Sequence, residues 1–67
     1  MIKNKIAVCR AEKKWTQQKL ADEIGVSRQT IMAMENYKYN PSLLLAFKVS
    51  KAFDKEITDI FEYVEEE

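Results

Sequence analysis

The stretch TQQKLADEIGVSRQTIMAMEN, residues 16–36, decides the fold. Thr16 is a side-chain acceptor placed just before an apolar stripe, so it offers an N-cap for a helix over Gln17–Ile24. Leu20, Ala21 and Ile24 form that stripe at helical spacing. Gly25 then stops the helix, because glycine takes positive φ without steric penalty. Ser27 caps a second helix from Arg28 to about Asn36, with Ile31, Met34 and Glu35 turned inward. Ala21 is small and lets the second helix approach the first closely. Two helices of about eight residues are too short to persist alone, so they must pack on neighbours.

Working outward, Ile6, Cys9 and the stem of Lys13 fall at helical spacing and predict a first helix from about Lys3 to Lys13. The segment YKYNP reads as a loop, since the residue before proline disfavours helix. Ser42 caps a helix over Leu43–Phe53 whose expected inner face is Leu43, Ala46, Phe47, Val49 and Phe53. Thr58 is expected to cap a last short helix through Phe61. FEYVEE alternates in the strand manner and could pair with MIKN at the other end. Trp15, Met32 and Met34 are expected in or beside the core. Tyr37 and Tyr39 divide between covering the core edge and hydrogen-bonding a phosphate.

The chain has 67 residues, one Gly, one Pro, one Cys and no His. That length makes one domain, residues 1–67, with a marginal core that tight packing or a partner subunit must support. The lone Cys9 excludes an internal disulfide, and the lack of histidine argues against a zinc site. Ser–His and Cys–His catalysis are excluded, so no catalytic or metal residue and no cofactor is expected. No apolar run reaches membrane-spanning length, and no signal peptide is evident, so a cytoplasmic location is expected. The net charge is zero, but it is unevenly placed. Residues 1–51 carry ten Lys/Arg against four Asp/Glu, a net +6, and residues 52–67 carry one Lys against seven acids, a net −6. Such asymmetry is compatible with a polyanion on the basic side or with two ordinary solvated faces.

A short helix, a glycine-bearing turn and a second helix make a helix-turn-helix unit, here residues 17–36. The segment TQQKLADEIGVSRQTI, with MEN and KYNPSL after it, resembles the Cro/CI-type (Xre family) helix-turn-helix transcriptional regulators, most of all their short stand-alone repressors. The resemblance covers about Ile2 to Phe61. It implies an all-α, compact five-helix Cro/CI-like (lambda-repressor-like) DNA-binding domain, with a short antiparallel β-ribbon between the chain ends. It also implies a homodimer on palindromic double-stranded DNA.

Carried over residue by residue, the resemblance places Arg28, Gln29, Thr30 and Ala33 against base edges. Arg28 suits guanine, Gln29 suits adenine, and Ala33 can touch only a thymine methyl. Gln17, Ser27, Lys38, Asn40 and Ser42 match backbone-gripping positions, which set register. Arg10 and Glu35 match a structural ion pair. Lys14 stands where relatives commonly carry glycine or asparagine after the first helix, and Tyr37 where they commonly carry glycine after the recognition helix. Leu44, Ile57, Ile60 and Phe61 are candidates for a dimer interface. No small-molecule effector is evident, since so short a chain has little room for a pocket. The rival reading is an antitoxin or another protein-interaction module in which DNA binding is secondary.

Overall fold

The computed structural model describes residues 1–65. In chain order it has β1 (Ile2–Asn4), α1 (Ile6–Lys13), α2 (Gln17–Ile24), α3 (Arg28–Glu35), α4 (Leu43–Phe53), α5 (Ile57–Ile60) and β2 (Phe61–Tyr63). Five helices and one small sheet are the expected architecture. The first helix starts at Ile6, three residues later than its periodicity suggests, because Lys3 and Asn4 pair with β2 instead. The pairing is antiparallel, with Ile2 opposite Tyr63, Lys3 opposite Glu62 and Asn4 opposite Phe61. Met1 extends it: its amine donates to the Val64 carbonyl at 2.7 Å and its carbonyl accepts from the Val64 N–H at 2.8 Å. The expected acidic ending lies partly outside the described residues, which stop short of Glu66 and Glu67.

The core gathers the inner stripe of every helix. Ile6 and Cys9 of α1, Leu20, Ala21 and Ile24 of α2, and Ile31 and Met34 of α3 meet Leu45, Val49 and Phe53 of α4 and Ile60 of α5. Ile6, Leu20, Ala21, Ile31 and Val49 have no exposed surface. Each such aliphatic side chain, apart from the small Ala21, contributes about 1.5–3 kcal/mol of hydrophobic free energy. Trp15 covers one edge, its ring centroid 5.5 Å from that of Phe53. The Lys13 and Lys19 amines sit 5.4 and 5.6 Å from the same ring and supply cation–π contacts. Burial pushes the Cys9 thiol above its ordinary range, so it behaves as a small apolar residue.

Two helices depart from the expected pattern. In α4 the inward residues are Leu45, Ala46, Val49, Ser50 and Phe53, whereas Leu43 and Phe47 point to solvent at 72% and 55% exposure. The run LLLAF supplies an apolar residue for either phase, so periodicity alone cannot choose between them. The small Ser50 fills an inward position and satisfies its hydroxyl on the Phe47 carbonyl at 3.0 Å. The last helix is capped by Glu56 rather than Thr58, through a capping box with Asp59, and it ends at Ile60. Phe61 is already extended, as its pairing with Asn4 requires.

The helix ends share one device. Lys14, Tyr37 and Asp54 all have positive φ, of 58°, 60° and 54°. Each sits in a Schellman arrangement, in which the residue after it donates to a carbonyl five positions back. These bonds run from Trp15 to Arg10 (2.9 Å), Lys38 to Ala33 (2.9 Å) and Lys55 to Ser50 (3.0 Å). Gly25, at φ 76°, closes α2 in the same way through Val26 and Ala21. The two positions where the family resemblance expects glycine are thus left-handed, but occupied by residues with a Cβ. Left-handed geometry costs such a residue about 1–2 kcal/mol. Lys14→Gly should therefore stabilise the domain by about 0.5–1 kcal/mol, after the looser unfolded chain is counted. Thermal unfolding should show the gain as a rise of about 3–6 °C, and an unchanged or lower midpoint would contradict it.

Candidate nucleic-acid interface

Two capped helices present the site. The Thr16 hydroxyl accepts from the Lys19 N–H at 3.0 Å and starts α2, and the Ser27 hydroxyl accepts from the Thr30 N–H at 3.2 Å and starts α3. Ser27 and Thr30 also share a hydroxyl–hydroxyl bond of 3.0 Å. This ties the first turn of α3 together and leaves Arg28 and Gln29 projecting from it, both exposed. Among the described residues Arg28 makes no ion pair. Val26, Gln29, Thr30, Ala33, Tyr39 and Leu45 line one shallow groove beside the helix. Three of the four residues expected at base edges therefore share a surface, with Arg28 on the adjoining exposed turn. Tyr39 joins them from the following loop.

That loop carries Lys38, Asn40 and Ser42, all exposed. Lys38 is unpaired among the described residues. The Ser42 hydroxyl caps α4 by accepting from the Leu45 N–H at 3.1 Å, and its own proton remains available to an acceptor. Gln17 is placed differently from the other expected backbone-contact residues. Its side-chain amide donates to Glu35 at 3.2 Å, which ties it to the ion pair, while its backbone N–H lies in the first turn of α2, where helix N–H groups lack intrahelical partners.

Behind this surface lies the ion pair between Arg10 and Glu35. The guanidinium donates twice to the carboxylate, Nε to Oε2 at 2.7 Å and Nη2 to Oε1 at 3.0 Å. Its Nη1 donates to the Trp15 carbonyl at 3.0 Å. Hydrogen bonding to Glu35 raises the Arg10 pKa further, so the charge is permanent. Side-chain exposures of 18% and 11% shield the pair without burying it completely. One network thus joins α1, the α1–α2 turn, α2 and the last turn of α3.

Asn4 adds a second tether that the sequence reading missed. Its Nδ2 donates to the Met34 carbonyl at 2.9 Å, and its Oδ1 accepts from the Ile6 N–H at 3.2 Å. The sequence signal for it was slight, a lone asparagine two residues before a helix. Of the dimer candidates, Leu44 is exposed and Ile57 and Phe61 are half-buried, but Ile60 lies within the protomer's own core at 1% exposure. Ile60 has no surface to offer a partner. Leu43 and Phe47 are exposed apolar neighbours of Leu44.

The helix-turn-helix family model HTH_3 matches residues 6–60. The chain belongs to the Cro/CI (Xre) type of helix-turn-helix proteins. An HTH-type transcriptional regulator of Methanocaldococcus jannaschii, itself uncharacterized, is 53% identical over 98% of this chain and 100% of its own length. The Bacillus subtilis HTH-type regulator YgzD, also uncharacterized, is 47% identical over 98% of both. The Escherichia coli antitoxin HipB is 34% identical over 82% of this chain and 58% of its own. A Bacteroides fragilis protein, solved by crystallography and described as a candidate DNA-binding protein, superposes with a TM-score of 0.82. It is 32% identical and covers 92% of this chain and all of its own. The family is one of DNA-binding transcriptional regulators rather than enzymes. No helix among the described residues is long and apolar enough to cross a membrane.

The Arg10–Glu35 network makes a direct prediction. Glu35→Ala strands a shielded guanidinium and should destabilise the domain by about 3 kcal/mol in urea unfolding. Replacing both partners by apolar residues, Arg10→Met with Glu35→Leu, should recover much of that loss. Equal destabilisation by the single and double variants would show that the pair, and not the orphaned charge, is what matters.

Proposed function

We propose that this protein is a sequence-specific DNA-binding regulator that represses transcription by occupying a palindromic operator as a homodimer. The observation that carries the reading is the first turn of α3. Arg28 and Gln29 stand exposed there, on a helix whose opposite end is held by two tethers. In this role Arg28, Gln29, Thr30 and Ala33 read the major groove. Lys38, Asn40, Ser42, Ser27 and the backbone N–H of Gln17 hold phosphates. The whole chain acts as one DNA-binding domain, in the cytoplasm, where the operator is.

The partner subunit meets the exposed face of α4, where Leu43, Leu44 and Phe47 are 72%, 67% and 55% exposed. Solvated apolar side chains at i, i+1 and i+4 are an interaction surface rather than a stray residue. They follow the phosphate-gripping loop directly in the chain. The domain is 35 Å along its longest axis. A two-fold dimer through this face presents its recognition helices to major grooves one turn apart, about 34 Å. A second reading, an antitoxin whose main partner is a toxin, is favoured by the similarity to HipB. A toxin complex that forms with Arg28→Ala as readily as with the parent would support it.

Selection from random DNA should return a palindrome. Arg28→Ala should then remove about 1–3 kcal/mol of discrimination at one position in each half-site. Lys38→Ala should weaken all sequences alike and lower the salt slope by about one per half-site. Failure to enrich any sequence would overturn the reading. Leu44→Lys with Phe47→Lys should shift sedimentation to the monomer while leaving the helical signal intact, and a parent that stays monomeric even on DNA would remove the dimer.

A further inference from the structure

We propose, resting on the operator reading above, that Tyr39 is a specificity-determining residue whose ring closes an apolar notch for the 5-methyl group of a pyrimidine. Gln29, Thr30 and Ala33 line the groove along α3, and Val26, Tyr39 and Leu45 complete it. None of these six side chains is charged, so the groove does not suit a phosphate. Leu45 is only 8% exposed, and Val26 and Ala33 are half-buried, so an apolar surface lies beside the base-reading turn. The Thr30 hydroxyl is already bonded to that of Ser27 at 3.0 Å, which leaves its methyl as its contribution to the notch. In the major groove the edge of a base pair offers one apolar feature, the 5-methyl of thymine. A cytosine or adenine amine set against Val26, Ala33 and Leu45 would lose water without gaining a partner.

Tyr39 reaches this groove from the loop, between Lys38 and Asn40. Those two neighbours hold phosphates in the proposed interface. Its side chain stays 44% exposed, so it keeps surface to offer the operator. Once phosphates fix Lys38 and Asn40, the ring between them is held beside the base pair that Ala33 faces. A methyl seated there gains dispersion contacts from two sides, the helix and the loop, whereas α3 alone offers little beyond the methyl of Ala33. The notch reads the methyl and not the rest of the base. It therefore accepts 5-methylcytosine as it accepts thymine, and it gains nothing from uracil or unmodified cytosine.

The full chain is titrated by fluorescence anisotropy against its selected operator, with each thymine replaced in turn by deoxyuridine. That change removes the methyl and keeps every hydrogen-bonding group of the base. One position in each half-site should weaken binding by about fourfold, the effect of one buried methyl. With cytosine at that position, 5-methylation should recover the same factor. Tyr39→Ser should bind the thymine and deoxyuridine operators alike while keeping the parent's helical signal, and Tyr39→Phe should discriminate as the parent does. Discrimination that survives in Tyr39→Ser would overturn the role of Tyr39. Uniform weakening of all operators by Tyr39→Phe, with no effect of the methyl, would make Tyr39 a phosphate ligand instead. A parent that binds its operator but ignores every deoxyuridine would overturn the notch without any variant, and would leave the operator reading standing. A parent that selects no sequence would remove both.

Discussion

The fold depends on how the last turn of α3 is held. A recognition surface is useful only if the helix that carries it sits still, and an eight-residue helix does not do so alone. The bidentate contact of Arg10 with Glu35 supplies direction as well as attraction, because guanidinium and carboxylate meet in one plane. Gln17 and the Trp15 carbonyl make further hydrogen bonds to the same two groups. No buried side-chain polar atom among the described residues is left unsatisfied. The network's value is in fixing three helices relative to one another. Its net contribution to stability is smaller than its bonds suggest, since desolvation opposes the gain.

How the chain ends its helices follows a related logic. Three of four Schellman ends use a residue with a Cβ. Each turn is imposed by what surrounds it. At Lys14, the next residue is Trp15, whose ring is packed on Phe53 and whose carbonyl is held by Arg10. At Tyr37, two donors converge on the Met34 carbonyl. Packing and hydrogen bonds outweigh a local preference of about 1–2 kcal/mol.

Much of this was legible in the residues. Thr16, Gly25 and Ser27 mark the helix-turn-helix unit because caps and left-handed turns are local chemistry. Arg10 and Glu35 could be paired only through the family resemblance, since 25 positions separate them. The phase of α4 was illegible for a physical reason: three consecutive leucines satisfy either face, and the choice falls to Ser50, which is small enough to go inside. Gln17 was read as a phosphate ligand, but its amide turns inward to Glu35. Asn4 escaped notice because its partner, Met34, lies 30 positions away.

The ribbon that ties Met1 to Val64, 63 positions apart, has a consequence for the order in which the molecule assembles and opens. The pairing between α2 and α3 spans short loops and can form early, whereas the ribbon must close nearly the whole chain. It is the natural last step of folding and the first to fray. Its two strands of three residues give it little independent strength. When it opens, both chain ends leave together, and Asn4 leaves with them. The grip on the Met34 carbonyl then loosens while Arg10 still holds Glu35. The two tethers on α3 thus belong to parts of the molecule with different lifetimes, a durable one in the helical body and a transient one at the closure of the chain.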